Sequence, residues 1–386
     1  MKIALIGTRG IPPTYGGTEI YVERLSLYLA GKHDEVIVYC KKPSTQNHLN
    51  DQKDLYPDNI KRIEIGSIPT KHLDNFSRTL FSTMHACLDS SVQVIQFNNI
   101  GPAFFSFLPR LFGKKVVGAI RAIDSQREKW NPIAKAFLRL CDFIAVKVPH
   151  VTTVNALSMQ EYYLNKYQAN TVYIPNGINI PAHRLEPNKI KQWGLEEKNY
   201  ILFAARLEPE KGCHTLIKAY KNLISSSNIP VKLAIAGHKG FSNAYVNDLL
   251  RNESDRICFL DYVKGETMEE LYGNAFAFVL PSAVEGMSNS LLSAMSHGIP
   301  VIVSDIPENT ALIQDAPYSK KLNDQPGLTF HLEDANELSS KLRLLINNPE
   351  AAKERGALLQ SHVRDNFDLE SMGRATRKIY SDLLLK

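Results

Sequence analysis

The chain has 386 residues, 44% hydrophobic and 22% charged, with a formal net charge of +5. That length suggests two domains, each with a sizeable core, and the composition excludes a disordered or fibrous chain. No apolar run reaches the ~20 residues of a spanning helix. The five cysteines show no metal or disulfide spacing, and no zinc-finger spacing or basic–aromatic platform points to nucleic acid. No long apolar leader with a cleavage site follows Met1-Lys2, so a cytoplasmic protein with reduced thiols is expected. The mild positive charge permits anionic substrates or an anionic membrane face without demanding either.

Residues 3–6 are an apolar run that predicts a buried parallel strand. A long loop follows through Gly7, Gly10, Pro12, Gly16 and Gly17. Thr18 is placed to cap a helix over 19–31, whose Ile20, Leu25 and Leu29 recur near helical spacing. The Gly16-Gly17 pair ahead of that helix lets backbone come close to a ligand. It is not a GxGxxG fingerprint, and the next strand, 36–40, is not followed by the acidic residue of the dinucleotide pattern. A sugar or phosphate ligand is therefore expected over a nicotinamide cofactor.

Residues 41–56 read as a polar loop, 62–65 as a short strand, 76–88 as a helix and 92–97 as a strand. A helix carrying Phe105 and Leu108 leads to a strand over 114–120. Arg121 and Asp124 follow, beyond the carboxyl end of that strand, where doubly wound sheets bind ligands. The alternative is a solvated charge cluster. Pro132 opens the next helix, and Ile133, Phe137 and Leu140 are expected to form its buried face. Residues 143–146 are expected as a strand. The stretch around Lys129, Lys135, Leu138 and Arg139 can touch a membrane surface or lie as a solvated helix. Strand 151–154 precedes a helix through Gln160 and Tyr163, a short strand over 171–174 and an Asn176-Gly177 turn. Residues 181–195 are polar and aperiodic, and are expected to link a first domain, 1–180, to a second, 196–365.

The second half repeats the rhythm. Strand 200–205 leads into the loop Arg206-Leu207-Glu208-Pro209-Glu210-Lys211-Gly212 and a helix to about 223. Strands 231–236 and 257–260 alternate with helices over 245–250 and 267–275. Strand 276–280 runs into a loop over 285–290, a helix over 291–297 ending at Gly298, and strand 299–303. That loop precedes a helix N-terminus, which makes it a candidate phosphate cradle; an ordinary βαβ crossover is the alternative. A short strand over 327–330 and helices over 335–346, 349–363 and 369–384 complete the chain. The tail over 366–386 can cross back to the first domain. Alternation of this kind predicts an α/β protein with mostly parallel sheets.

These stretches together resemble the retaining, GT-B-fold glycosyltransferases of family 4. Arg206 through Gly212 is similar to their donor-diphosphate motif, and Glu285-Gly286 through Ala294-Met295 with Gly298 to their donor-sugar motif. Gly7 through Pro12, with Tyr15-Gly16-Gly17-Thr18-Glu19, resembles a bacterial branch that contains rhamnosyltransferases and other polysaccharide enzymes. The resemblance implies two Rossmann-like domains with parallel sheets facing across a cleft that closes on the donor. It implies transfer of a sugar from a nucleotide diphosphate sugar to a hydroxyl of a glycan or lipid-linked glycan, with retention and with no metal or other cofactor. Arg206 and Lys211 would then hold the donor diphosphate, and Glu285 the sugar hydroxyls. Gly16 and Gly17, with backbone donors of Met287, Ser288 and Asn289, would line the diphosphate region. Asp124 would orient the acceptor.

Two positions depart from the pattern. Ser293 stands where relatives have a second glutamate that binds the nucleotide ribose. Arg121-Ala122 stands where many relatives have a His-Gly pair; an arginine cannot act as a base, but it can neutralise phosphate or an acidic substrate. A non-catalytic sugar-nucleotide-binding or scaffold protein and a nucleotide-sugar epimerase are the rival readings.

Overall fold

Parallel strands covered on both faces need near-continuous apolar runs. β1 (Lys2–Ile6) and β8 (Tyr200–Ala204) are such runs, with Ile3 through Leu5 and Tyr200 through Phe203 wholly buried. Each starts one of two units. The computed structural model describes residues 1–14, 16–42, 55–70, 73–123, 132–226, 229–237, 243–314 and 327–386. The chain divides into Met1–Gly177 with Leu369–Lys386, and Ile178–Asp368.

In the N-terminal unit, β1 is followed by α1 (Gly17–Gly31), β2 (Glu35–Lys41), β3 (Ile60–Ile65), α2 (Leu73–Leu88) and β4 (Val94–Asn98). Then come α3 (Ile100–Ala103), α4 (Phe107–Leu111), β5 (Lys115–Ile120), α5 (Pro132–Lys147), β6 (Val151–Val154), α6 (Leu157–Tyr167) and β7 (Val172–Tyr173). Among the described residues the sheet order is β3-β2-β1-β4-β5-β6-β7, with neighbours parallel. The order reverses between β1 and β4. Alternation along β1 feeds two cores: Ile3 and Leu5 pack with Val22, Leu25 and Leu29 of α1, while Ala4 and Ile6 pack with Ile95 and Phe97 on the other face.

The helix Leu369–Leu384 completes this unit. Arg377 Nε donates to Asp34 at 2.7 Å, and a Cβ at Gly373 would lie 2.2 Å from the Tyr28 ring, so the helix approaches α1 closely. Tyr380 is fully buried and its hydroxyl donates to Gln96 Oε1 at 2.5 Å. Gln96 donates in turn to Asn98, and Asn98 to the Ile6 carbonyl, both at 2.9 Å. Removing the hydroxyl strands a buried acceptor. Tyr380→Phe is therefore expected to destabilise the protein by about 1–3 kcal/mol, read as an earlier midpoint in urea; an unchanged midpoint would mean the chain of hydrogen bonds adds nothing.

The C-terminal unit runs from β8 through α7 (Cys213–Ser226), β9 (Lys232–Ala236), α8 (Asn243–Leu250), β10 (Ile257–Phe259) and α9 (Glu266–Asn274). It continues with β11 (Ala277–Leu280), α10 (Asn289–Ser296), β12 (Val301–Ser304), α11 (Pro307–Gln314), β13 (Leu328–Phe330), α12 (Ala335–Asn347) and α13 (Pro349–Asn366). Among the described residues its strand order is β10-β9-β8-β11-β12-β13, again with parallel neighbours and a reversal at β8/β11.

Several local expectations need correction. Thr18 lies inside α1 and Gly16 caps the helix; the Thr18 hydroxyl accepts from Asn99 instead. Residues 143–146 continue α5 and do not form a strand, because Cys141, Asp142, Ala145 and Val146 make the buried helical stripe. The stripe at Ile133, Phe137 and Leu140 consequently faces outward, with Ile133 82% exposed. Residues 181–195, expected as a linker, pack into the C-terminal unit: the short helix Lys189–Trp193 buries Ile190, and Leu195 is fully buried beside it. Apolar residues at irregular spacing gave no periodic signal there.

Candidate functional site

A doubly wound sheet binds ligands where the strand order reverses, beyond the carboxyl ends of the strands. In the C-terminal unit that place is the β8/β11 pair. Two loops leave it side by side. After β8 comes Arg206, then a single turn of 3₁₀ helix over Pro209–Lys211, then α7. After β11 comes Pro281 through Ser288, then α10. The loops touch through backbone: Ala283 N–H donates to the Glu210 carbonyl at 2.8 Å. Gly212 has φ +69°, and a Cβ there would sit 2.0 Å from the Pro281 carbonyl oxygen. Only glycine permits that approach.

This contact brings Lys211 and Glu285 together. Lys211 Nζ lies 2.7 Å from Glu285 Oε1 and 3.4 Å from the Val284 carbonyl. Both side chains are mostly buried, at 12% and 10% exposure. Arg206 is half-buried and its Nη1 donates to Glu208 at 3.0 Å. Each candidate cation thus stands beside a carboxylate. An ion pair of this kind fixes the cation's position while leaving other N–H groups for a phosphate oxygen. The sequence reading treated Lys211 and Glu285 as separate contacts and did not weigh Glu208 as a partner. The alternation of Arg206, Glu208, Glu210 and Lys211 was the available signal.

α10 supplies backbone donors. Ser288 is its N-cap and its hydroxyl accepts from Leu291 N–H at 3.3 Å. The hydroxyl also lies 3.0 Å from the Ser290 hydroxyl, so its contacts are largely within the helix start and a ligand would meet Ser288 through its main chain. Met287 is buried among Leu280, Leu291 and Leu292, which likewise leaves its backbone as the functional part. Asn289 is the first residue of the helix. Ser293 lies half-buried one turn on; its carbonyl is engaged by the His297 ring at 2.8 Å. Gly298 ends the segment at φ +69°.

The N-terminal unit carries the remaining candidates at its own reversal, β1/β4. Gly16 and Gly17 stand at the start of α1. Glu19, which the sequence reading left without a role, holds this turn: its Oε2 accepts from Thr14 N–H and hydroxyl, both at 3.0 Å, and from Gly16 N–H at 3.2 Å. Glutamate three residues after a helix cap is the legible signal. Gly7 and Gly10, with φ +105° and +119°, are the loop positions whose backbone requires glycine; Gly16 has φ −105°. Arg121 follows β5 and is buried. Its guanidinium lies 3.5 Å from the Tyr21 ring centre, with Nη1 donating to Asn176 at 3.3 Å and the Ile174 carbonyl at 3.4 Å. Burial lowers its pKa and Tyr21 opposes the shift; a guanidinium keeps its proton regardless. Nε and Nη2 have no hydrogen-bond partner among the described residues. Asp124 lies outside the described residues. Among those described, no group of three or more His, Cys, Asp or Glu is placed to hold a metal ion.

Residues 186–357 match the family model "Glycosyl transferases group 1", and residues 1–179 match "Domain of unknown function (DUF1972)". O-antigen chain mannosyltransferase B of Escherichia coli is 27% identical over 55% of this chain and 54% of that protein. Sucrose-phosphate synthase from Thermosynechococcus elongatus has a similar structure, with a TM-score of 0.82 over 100% of this chain and 99% of that one at 19% identity. Anabaena Alr3699/HepE, solved in complex with UDP-glucose, gives 0.78 over 99% and 100% at 16% identity. The fold is GT-B, and the chain is related to bacterial polysaccharide-building glycosyltransferases.

Proposed function

We propose that this GT-B-fold protein is a retaining, metal-independent glycosyltransferase of family 4. It moves a hexosyl unit, rhamnosyl or another, from a nucleotide diphosphate sugar to a hydroxyl of a glycan or lipid-linked glycan, in cytoplasmic assembly of surface polysaccharide. One observation carries the reading: Lys211 and Glu285 pair across the two loops that leave β8 and β11 at the strand-order reversal of the C-terminal unit, with Arg206 on the first loop and α10 starting at the end of the second. Cations beside a helix N-terminus suit a diphosphate.

As the glycosidic bond breaks, charge grows on the departing diphosphate. Arg206, Lys211 and the main-chain donors of Met287, Ser288 and Asn289 stabilise it there. Glu285 accepts from sugar hydroxyls with the oxygen that Lys211 leaves free. The leaving phosphate takes the acceptor proton. Ser293, half-buried on α10, meets the nucleotide ribose through water. In the N-terminal unit, Gly16 and Gly17 at the start of α1 let backbone come close to a ligand. Arg121 places a buried positive charge just beyond the end of β5 that can favour an anionic group nearby, and Asp124 orients the acceptor hydroxyl.

The test is a release assay over a panel of nucleotide sugars, with and without a lipid-linked acceptor. One donor is expected to release nucleoside diphosphate, faster with acceptor, and the new linkage to keep the anomeric configuration. Binding with no release would make the protein a sugar-nucleotide carrier or scaffold. An epimeric sugar nucleotide with no released diphosphate would make it an epimerase.

A further inference from the structure

A soluble helix packed on a sheet normally turns one apolar stripe inward and a polar face outward. α5 does not. Its inward stripe is complete without Ile133, Phe137, Leu140 and Phe143, which are exposed, Ile133 the most, although the Phe137 and Phe143 rings also touch those of Phe104 and Tyr167. α4 and the residue after it add Phe107, Leu111 and Phe112, with Leu111 78% exposed. The two helices form one surface. Phe104 lies beneath them, its ring 5.6 Å from Phe137 and 6.5 Å from Phe107, and Arg110 Nη1 donates to the Val148 carbonyl just past the end of α5. Contiguous exposed apolar patches of this kind mark interaction sites.

Among the described residues of α4 and α5, the exposed charges have one sign. Arg110, Arg139 and Lys147 are exposed and Lys135 is half-buried. Asp142 is the sole acidic residue within α4 and α5; it is fully buried and accepts from the Tyr163 hydroxyl at 2.9 Å. A second copy of the chain docked face to face would oppose arginine and lysine to their own kind. An anionic bilayer complements them, since phosphate headgroups meet the cations while the phenylalanine and leucine side chains enter the acyl boundary.

We propose that this face of the N-terminal unit docks the protein on an anionic lipid bilayer, through Leu111, Phe112, Ile133, Leu140 and Phe143 with Arg110, Arg139 and Lys147 around them. The docking does not depend on the sugar-transfer reading: it needs no donor and is measured without one. The sequence alone favours a solvated helix over membrane contact for this stretch. What decides between them is the outward direction of a stripe whose periodicity reads as core. Leu138, singled out there, instead packs against the core.

The test is co-sedimentation of the full chain with phosphatidylcholine vesicles with and without about 30 mol% phosphatidylglycerol. The protein should pellet with the anionic vesicles, and about 0.5 M salt should release much of it. Ile133→Ser with Leu140→Ser should lower the partition coefficient at least ~10-fold with little change in the thermal midpoint, because neither side chain belongs to the buried stripe of α5. Arg139→Glu with Lys147→Glu should lower binding and flatten its salt dependence. Absence of binding to anionic vesicles, or binding that these variants leave intact, would overturn the proposal. So would a dimer in sedimentation velocity that Ile133→Ser with Leu140→Ser converts to monomer, since a second copy would then be the occupant.

Discussion

Lys211→Ala is expected to cost roughly 10²–10³-fold in the rate of sugar transfer, the range seen when one preorganised donor to a developing negative charge is removed. Two losses combine. The departing diphosphate loses a cation that the Glu285 carboxylate and the Val284 carbonyl hold in place before any ligand arrives. Glu285, itself mostly buried, loses its counter-ion, and a carboxylate left unpaired in such a place turns away or takes up a proton. Bare nucleoside diphosphate should therefore bind more weakly, and intact donor more weakly still. Glu285→Gln should differ. It keeps the side-chain size, removes the anion that competes with phosphate for Lys211, and exchanges one acceptor oxygen for a donor amide. Bare nucleoside diphosphate should bind as well as before or better, while intact donor and turnover suffer. Calorimetry with both ligands and initial rates check the pair. Wild-type diphosphate affinity in Lys211→Ala, or equal weakening of both ligands in Glu285→Gln, would show that the two side chains do not divide the donor in this way.

Gly212→Ala is expected to be the most disruptive small substitution in the C-terminal unit. The new methyl group would stand 2.0 Å from the Pro281 carbonyl oxygen, and the residue would keep a left-handed φ of +69° that alanine disfavours. Neither partner is the free end of a side chain, so backbone has to move. A cost of about 3–5 kcal/mol is in line with forced strain at a special backbone position. The movement would part the loop of Arg206 and Lys211 from that of Glu285, so nucleotide binding should fall even at temperatures where the variant is folded. Thermal unfolding and nucleoside diphosphate titration read the two effects separately. A variant that melts and binds like the parent would mean that the two loops are not braced against each other.

Where a side chain's surroundings are local, the chain could be read directly. β1, β8 and β11 were legible because a buried parallel strand is an uninterrupted apolar run, and α10 because Gly298 ends it at positive φ. Arg206, Lys211 and Glu285 stand out as candidates from the motifs they sit in. Their pairing does not, since Lys211 and Glu285 are 74 residues apart and meet only because β8 and β11 are neighbours. The direction of α5 was misread for a related reason. Its sequence holds two apolar stripes, and periodicity cannot say which of them meets the sheet. Residues 181–195 were misread in the opposite sense: Ile190 and Leu195 bury fully without any repeating pattern to announce them. Glu19 has no expected role while Thr18 is taken as the cap, and its hold on Thr14 and Gly16 depends on a loop path that local propensity does not specify.

The seat of Tyr380 on Gln96 has a consequence for biogenesis. The partners are 284 residues apart, and all of the C-terminal unit lies between them in the chain. On a ribosome, residues 1–177 emerge with the groove for Leu369–Leu384 vacant and stay so while residues 178–368 are made. At translation speeds of about 5–20 residues per second that interval is on the order of 10–40 s. During it, the groove walls around Tyr28 and Gln96 are open to solvent and to folding factors, while the second unit, continuous in sequence, can finish on its own schedule. The order of completion is thus the reverse of the order of synthesis: the unit begun first is sealed last.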